Sequence, residues 1–350
     1  GNVVVISGNN QKKTDYILAC LRAGLNVLAD KPMAITPADL TRLKESLAIA
    51  DDSGLQLYDI MTERYEITSI LQRELALMPR IFGTLQQGTT EYPAVVKESV
   101  HHFYKNVSGN VLVRPAWFFD PEQQGEGLVD VTTHLVDLIQ WTCFPEQIID
   151  TSTVRINAAR RWPTEITLSQ FSTITGLPTF PDYLAANVRD SLLAVYSNGQ
   201  IDYEVKGIHA RVAVTWAFEA PPGAGDTHFS IMRGSNANLV IRQGAEQDFK
   251  PVLYIEPVVK SDEYNSTVSN EFISLKEKYP GLELRPSERG WEVFIPDSYR
   301  EGHEAHFARV MERFLEYLKN KNMPEWEVPN MITKYYTTTR ALEMAKENNP

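Results

Sequence analysis

The order of apolar and polar residues at the start of the chain predicts a parallel sheet with helical connections. Val3–Ile6 is a short, wholly apolar run, typical of a strand buried on both faces. Further apolar runs predict strands at 27–29 and 55–60. Helical spacing over 14–23 predicts one connecting helix, and a hydroxyl N-cap followed by proline predicts another over 36–53. Strand, helix, strand, helix, strand is the order of a doubly wound α/β fold.

After residue 80 the pattern changes to strands separated by turns, which predicts a second, mostly antiparallel sheet. Turn residues such as Ser197-Asn198-Gly199 separate several of these strands. An amphipathic helix is predicted over 127–143, and the tail returns to helical spacing around 307–318 and over 330–346. The predicted strands are 82–90, 151–159, 192–204, 211–219, 227–233, 238–242 and 252–256.

These patterns divide the chain into three parts. Residues 1–60 form part of a parallel sheet, 61–300 form an antiparallel α+β domain, and 301–350 are helices that pack back on the core. The predicted fold class is α/β plus α+β: a partial doubly wound sheet followed by a large, mostly antiparallel, open-faced β-sheet with helices on one side. Because a large open sheet commonly buries one face against a partner, we expect a homo-oligomer that associates through 80–256.

Charge and composition argue against several classes of partner and site. The formal net charge of −11 and the pI near 5.2 argue against nucleic acid or an anionic membrane surface. No apolar run approaches the roughly 18–20 residues that span a bilayer, and the first residues show no signal peptide. The cysteines are Cys20 and Cys143, so we expect small buried side chains rather than a disulfide framework or a cysteine metal site.

Three motifs lie along the chain in a fixed order. The first combines the turn Asn9-Asn10-x-x-Lys13 with the strand end Asp30-Lys31-Pro32. The second begins at Trp117 in Trp-Phe-Phe-Asp-Pro and runs through a glycine-rich segment to Asp130-x-x-x-His134, and the third is the turn 234–239. Together they resemble the motifs of the glucose–fructose oxidoreductase/inositol dehydrogenase (Gfo/Idh/MocA) family. In that family the strand end usually reads Glu-Lys-Pro and the turn Pro-Asn-x-x-His.

The resemblance implies an NAD- or NADP-dependent oxidoreductase in which 1–60 correspond to the second half of a Rossmann domain and 61–300 bind the substrate. Asn10, Asp30, Lys31 and Pro32 would line the cofactor. No Gly-x-Gly-x-x-Gly motif for the pyrophosphate precedes the first strand. We therefore expect that the chain lacks the first half of the Rossmann domain, binds the cofactor weakly or not at all, and needs the full-length form for activity.

Lys31, Asp130 and His134 are the candidate catalytic residues. Asp130 and His134 are four apart on a predicted helix, so the carboxylate could orient the imidazole as a general base. From spacing alone, a non-catalytic interpretation is favoured, in which Asp130 is stabilised by the helix dipole and His134 is unrelated to it. The Asp30-Lys31-Pro32 motif reverses this preference and favours the catalytic interpretation. Lys31 ends a parallel strand, where ligands bind in open α/β sheets, and could stabilise an alkoxide. A cis peptide is predicted between Lys31 and Pro32.

Further residues could contact a substrate. The candidates are Lys97, His101, His102, Trp117 and His303. An aromatic ring such as that of Trp117 could stack on a sugar, although core packing explains most aromatic residues. His303-Glu304-Ala305-His306 lacks the spacing of the His-Glu-x-x-His zinc motif, so we expect no metal.

The expected reaction removes a hydride from a secondary alcohol of a sugar, polyol or glycoside. His134 takes the hydroxyl proton, Asp130 orients His134, and Lys31 polarises the oxygen. Two alternatives stay open. One is a glycoside-cleaving enzyme of the same fold that uses transient oxidation by NAD, and the other is a non-catalytic sugar-binding or assembly module.

Overall fold

A computed structural model of the chain describes residues 1–107 and 110–348. The α-helices and strands of these residues are, in chain order, β1 (Val3–Ile6), α1 (Lys13–Arg22), β2 (Asn26–Asp30), α2 (Pro37–Asp52), β3 (Leu57–Ile60), α3 (Ile67–Ala76), β4 (Val95–Tyr104), β5 (Asn106–Val107), β6 (Asn110–Val111), α4 (Thr132–Cys143), β7 (Val154–Thr167), α5 (Leu168–Thr175), β8 (Val188–Arg189), β9 (Leu192–Val205), β10 (Ile208–Glu219), β11 (Thr227–Arg233), β12 (Ala237–Gln243), β13 (Val252–Pro257), α6 (Asp262–Lys278), β14 (Glu283–Ser287), β15 (Gly290–Phe294), α7 (His303–Asn320) and α8 (Glu327–Asn348).

The first sheet has three parallel strands in the order β1-β2-β3. Val27 of β2 lies opposite both Val4 and Leu57 and is fully buried, as expected of a central strand covered on both faces. Helix α2 starts with the predicted cap, in which the Thr36 side chain accepts from the backbone of Asp39 and the Asp39 carboxylate accepts from the backbone of Thr36. The predicted parallel start of the chain is confirmed.

A ten-stranded sheet forms the second part of the molecule. Its strand order is β14-β15-β13-β12-β11-β4-β10-β9-β7, and β8 pairs with β9. Strands β4 and β10 run parallel to each other. Helices α3, α4, α6 and α8 pack on one face around side chains such as Leu135, Val212 and Ile255. The other face carries a small apolar cluster around Val96 and Val240. The predicted fold class is therefore confirmed.

Two predicted elements differ from the structure. The segment 82–90, predicted as a strand, forms turns with isolated bridges to other loops. Gly83 and Gly88 have φ of 79° and 69°, a left-handed conformation that interrupts a strand. Helix α4 begins at Thr132 rather than at residue 127. Gly127 lies in the preceding turn, so close to Ser197 that a Cβ would fall 2.0 Å from its carbonyl oxygen.

Helices α7 and α8 connect the two sheets. Phe314 of α7 and Tyr335 of α8 are buried among the apolar side chains of β2, β3 and α2. Helix α8 also packs against α4 and β7 of the large sheet. Among the described helices, none combines the length and apolar character that crossing a membrane requires. The division of the chain at residues 60 and 300 stays a prediction.

A buried charge network lies where α8 meets α4 and β3. Lys334 Nζ is 2.7 Å from Asp59 Oδ2 and 2.8 Å from Asp137 Oδ1. Arg64 contacts both Asp137 oxygens at 2.7 Å and Glu327 Oε2 at 3.0 Å. Burial alone would raise the pKa of Asp137, but Arg64 and Lys334 outweigh it and hold this pKa well below its usual value. The network therefore ties the end of the chain to both sheets by charge as well as by apolar packing.

Replacing Lys334 by Met is expected to lower the free energy of unfolding by about 3–5 kcal/mol, because buried Asp59 loses its cation and Asp137 keeps only Arg64. Chemical denaturation followed by circular dichroism measures the change. Lys319→Met, at an exposed position on α7, should shift stability by no more than about 0.5 kcal/mol. Equal stability of the Lys334 variant and the wild type would contradict the structural role of the network.

Candidate functional site

Lys31 lies at the carboxyl end of β2, followed by the predicted cis peptide to Pro32, which is present. Its Nζ is 2.7 Å from Asp130 Oδ1, and both side chains are largely buried. Burial would raise the pKa of Asp130, and the ammonium group of Lys31 outweighs this effect and lowers it. The two candidate residues therefore form an ion pair although 99 positions separate them.

His134 lies on the first turn of α4 and is partly exposed. Its Nδ1 is enclosed and has no hydrogen-bond partner among the described residues. Burial, together with repulsion from Lys31, lowers the pKa of His134 well below 6.5. The predicted contact with Asp130 is absent, because Asp130 lies in the turn before α4 and is bound to Lys31 instead.

The turn after β1 meets the segment that leads to Asp130. Asn10 is buried, and its Nδ2 donates to Gln124 O at 2.7 Å. Lys13 Nζ donates to Asn10 Oδ1 at 2.5 Å and to Asp30 O at 2.9 Å. Burial lowers the pKa of Lys13 to about 8. Lys13, which stands where the family usually has His, thus fixes both Asn10 and the strand end that carries Lys31.

A narrow cleft beside Asp130 has a wall rich in aromatic rings. It is lined, among others, by Phe118, Gln124, Asp130, Tyr196, Ser197 and Trp216. Trp216 stacks on Phe103 with ring centroids 5.0 Å apart, and the His101 ring lies 5.0 Å from the Trp216 ring. Trp117 is half-buried in the short helical turn Ala116–Phe119, next to Phe118 in the chain. We refer to this space below as the cleft.

Asp226 binds side chains at the end of β4, where the His101 ring contacts Trp216 of the cleft. Its carboxylate accepts from three side chains, His101 at 3.2 Å, His102 at 2.9 Å and Lys105 at 2.8 Å. Burial would raise the pKa of Asp226, and these hydrogen bonds and charges lower it strongly. The other ring nitrogen of His101 is 2.9 Å from Ser99 Oγ. His101 and His102 are thus both held at the carboxyl end of β4.

His303 is exposed at the start of α7, with its Nδ1 3.7 Å from Glu63 Oε1. Burial, partly offset by Glu304, and the charge of nearby Lys31 lower the pKa of His303. Burial also raises the pKa of Glu63. Within 1–107 and 110–348, no group of three or more His, Cys, Asp or Glu side chains is placed to hold a metal ion.

Lys97 does not face the cleft, contrary to its prediction as a substrate contact. It is fully buried, and its Nζ donates to Gln72 Oε1 at 2.9 Å and to Ser230 Oγ at 2.8 Å. Burial lowers its pKa from 10.5 to about 8. The physical reason for the difference is that helix α3 covers this part of β4, which the local sequence does not reveal.

Lys97→Met is expected to change the pH dependence of stability. Folding lowers the pKa of Lys97 from 10.5 to about 8, so between these pH values Lys97 is protonated in the unfolded chain and neutral in the folded one. The wild type therefore loses stability as the pH is lowered through this range, and the variant does not. Relative to the wild type, the variant should therefore gain about 3 kcal/mol as the pH is lowered from 10.5 to 7. Denaturation curves across this range test it, with exposed Lys276→Met as control. A stability difference that is the same at every pH would contradict the assignment.

Sequence reasoning missed three residues that the structure brings to the site, Lys13, Arg114 and Asp226. The departure of Lys13 from the family turn was visible, although its contacts were not. Asp226 and Arg114 lie outside every motif and reach the cleft only through the tertiary fold. No local spacing could have identified them.

Two family models match the chain. The model described as "Oxidoreductase family, NAD-binding Rossmann fold" (GFO_IDH_MocA) matches residues 2–57. The model described as "Putative oxidoreductase C terminal domain" matches residues 71–346, which is most of the chain. Among proteins with curated functional descriptions, no significant match is found.

Several solved structures are similar to this chain. A protein from Parabacteroides merdae ATCC 43184, described as a "putative oxidoreductase", is 51% identical, with a TM-score of 0.98 over 100% of this chain and 80% of that chain. Levoglucosan dehydrogenase, in complex with NADH and levoglucosan, is 13% identical, with a TM-score of 0.64 over 99% of this chain and 79% of that chain. KijD10, a 3-ketoreductase from Actinomadura kijaniata in complex with NADP and TDP-benzene, is 13% identical, with a TM-score of 0.60 over 98% of this chain and 78% of that chain. The last two likenesses show the fold alone.

Proposed function

This chain belongs to the Gfo/Idh/MocA family of oxidoreductases, and from that membership we propose that it oxidises a secondary alcohol of a sugar, polyol or glycoside. The observation that carries the proposal is the Lys31–Asp130 ion pair of 2.7 Å at the carboxyl end of β2, with His134 on the first turn of the adjoining helix. Ligands of open α/β sheets bind beyond the carboxyl ends of the strands. The levoglucosan bound to levoglucosan dehydrogenase, a protein of the same fold, supports this substrate class.

Each residue has a separate role in the proposed reaction. Lys31 donates from Nζ to the substrate oxygen and stabilises the negative charge that develops there. Asp130 holds this ammonium group in place through the ion pair, which replaces its predicted role of orienting His134. His134 takes the hydroxyl proton at Nε2, since its Nδ1 is enclosed by protein. The lowered pKa of His134 keeps the ring neutral and ready to accept a proton near pH 7.

The residues beside the ion pair fit a nicotinamide cofactor. The Asn10 amide is fixed by Lys13 and by Gln124, and it lies with Asp30 and Pro32 at the carboxyl ends of β1 and β2. Asn10, Asp30 and Pro32, together with Lys31, would hold the nicotinamide half of NAD or NADP. When bound, the cofactor accepts the hydride from the substrate carbon. The weak cofactor binding expected of this chain stays a prediction.

The proposal is tested by incubating the full-length form of the protein, which the sequence predicts to be needed for activity, with NAD⁺ or NADP⁺ and a panel of sugars and polyols. We expect reduced cofactor and a keto-sugar to form in equal amounts. A protein that binds sugar equally well after loss of Lys31 and His134, and never reduces the cofactor, would instead be a non-catalytic binding module.

One observation favours the glycoside-cleaving alternative as a second candidate. His101 is oriented by Asp226 at 3.2 Å beside the same cleft, so a second imidazole stands near the site. Hydride transfer needs one base, whereas cleavage through a transient ketone needs further proton transfers. Release of free sugar from a glycoside without accumulation of reduced cofactor would favour this second function.

A further inference from the structure

Arg114 packs against Phe118 and Trp216, two of the rings that line the cleft, and has no carboxylate partner among the described residues. Its Nε donates to Phe103 O at 3.0 Å and its Nη2 to His102 O at 3.2 Å, which leaves Nη1 without a partner in that part of the chain. The guanidinium carbon lies 4.5 Å from the centre of the Phe118 ring and 5.2 Å from that of Trp216. Because both rings line the cleft together with Asp130, Arg114 stands beside the proposed reaction site.

The acidic side chains near Arg114 are already engaged. Asp130 is bound to Lys31, and Asp226 accepts from the side chains of His101, His102 and Lys105. Burial lowers the pKa of Arg114 to about 10, and the charges of Asp130 and Asp226 only partly oppose this. A half-buried cation without a contacting counter-charge is costly, so a ligand that supplies one would bind favourably.

We infer that the substrate carries an anionic group, a carboxylate or a phosphate ester, which Arg114 binds. The inference rests on the proposed function, since it names the class of sugar that the same cleft accepts. The planar guanidinium presents paired N–H donors that suit oxyanions, and the neighbouring rings can pack on the face of a sugar. The chain as a whole has a net charge of −11 and repels anions, so local cations are needed to hold one.

A purely structural role for Arg114 predicts different behaviour. Arg233 makes the same kinds of contact, with Nε donating to Pro93 O at 3.0 Å and the guanidinium carbon 4.0 Å from the centre of the Tyr92 ring. Arg233 lies beside the first residue of β4, whereas Arg114 lies beside the last residues of the same strand. The two positions are about 25 Å apart along the strand. Arg233→Met is therefore a matched control that loses a carbonyl contact and a ring contact outside the cleft.

The test is titration calorimetry of the protein with three series of ligands, one each for glucose, galactose and mannose. Each series contains the neutral sugar, the hexuronate and the 6-phosphate. We expect the wild type to bind an anionic member of at least one series about 10- to 100-fold more tightly than the neutral member. Arg114→Met should remove this preference, Arg114→Lys should keep part of it, and Arg233→Met should leave it unchanged. Comparison of hexuronates with 6-phosphates identifies which anionic group is bound.

Salt dependence gives a measurement that needs no variant. The preference of the wild type for the anionic sugar should weaken as ionic strength rises. The inference is overturned if no series shows an anion preference, or if Arg114→Met folds and keeps it. In either case oxidation of neutral sugars would leave the proposed function standing. If no sugar yields reduced cofactor, the proposed function is contradicted. The calorimetric preference for anionic sugars then still shows whether Arg114 binds an anionic group.

Discussion

His134→Ala is expected to lower turnover by about 10²–10⁴-fold, because it removes the general base that takes the hydroxyl proton. The reaction is followed as the formation of reduced cofactor at saturating cofactor and sugar. Since burial and Lys31 lower the pKa of His134 well below 6.5, the wild-type rate should hold as the pH falls through 6.5 and decline only at lower pH. Unchanged turnover of the variant would remove His134 from the mechanism.

His209→Ala provides the control for this variant. His209 also has an enclosed Nδ1 without a partner in the described ranges, but it lies at the start of β10, opposite Glu204 of β9. Any loss of activity that comes from general disturbance of a buried imidazole should appear there too. We expect the His209 variant to keep the turnover of the wild type.

Lys31→Met is expected to lower turnover by about 10²–10³-fold, because the substrate oxygen loses the donor that stabilises its developing charge. The variant also leaves the Asp130 carboxylate largely buried without its cation, so thermal stability should fall. Exposed Lys12→Met, which removes a lysine near the same sheet, should change neither quantity.

A double variant separates the chemical effect of Lys31 from the structural one. Lys31→Met combined with Asp130→Asn removes both charges of the pair, and stability should largely recover. Turnover should stay low, since neither change restores a donor to the substrate oxygen. Recovery of turnover along with stability would show that Lys31 acts only by holding Asp130.

Much of the fold could be predicted from local pattern because each strand is bounded by clear turn residues. The predicted strand 227–233 agrees with β11 at both ends. β4 was missed because it carries Lys97, Glu98, His101 and His102, which read as a polar segment. The burial of Lys97 and His102 depends on contacts with α3 and with Asp226, which are brought there from elsewhere in the chain.

The sequence named candidate residues for the site, but it did not predict which of them contact each other. The ion pair between Lys31 and Asp130 was not predicted, because Asp130 was expected to orient His134; the helix starts at Thr132 and leaves Asp130 outside it, where it binds Lys31. A shift of a few residues in a helix boundary thus changed the partner of a catalytic candidate. Association of the protein into homo-oligomers stays a prediction.

The position of α8 also bears on how the protein is made. Asp59 obtains its cation from Lys334, which is translated 275 residues later, whereas Asp137 already has Arg64 and gains Lys334 197 residues later. Until α8 emerges from the ribosome, Asp59 lacks this cation, and the apolar side chains that Tyr335 and Phe314 later pack against stay uncovered. The interior is therefore completed only after α8 has emerged. Chaperones that shield the nascent chain until then should favour its maturation.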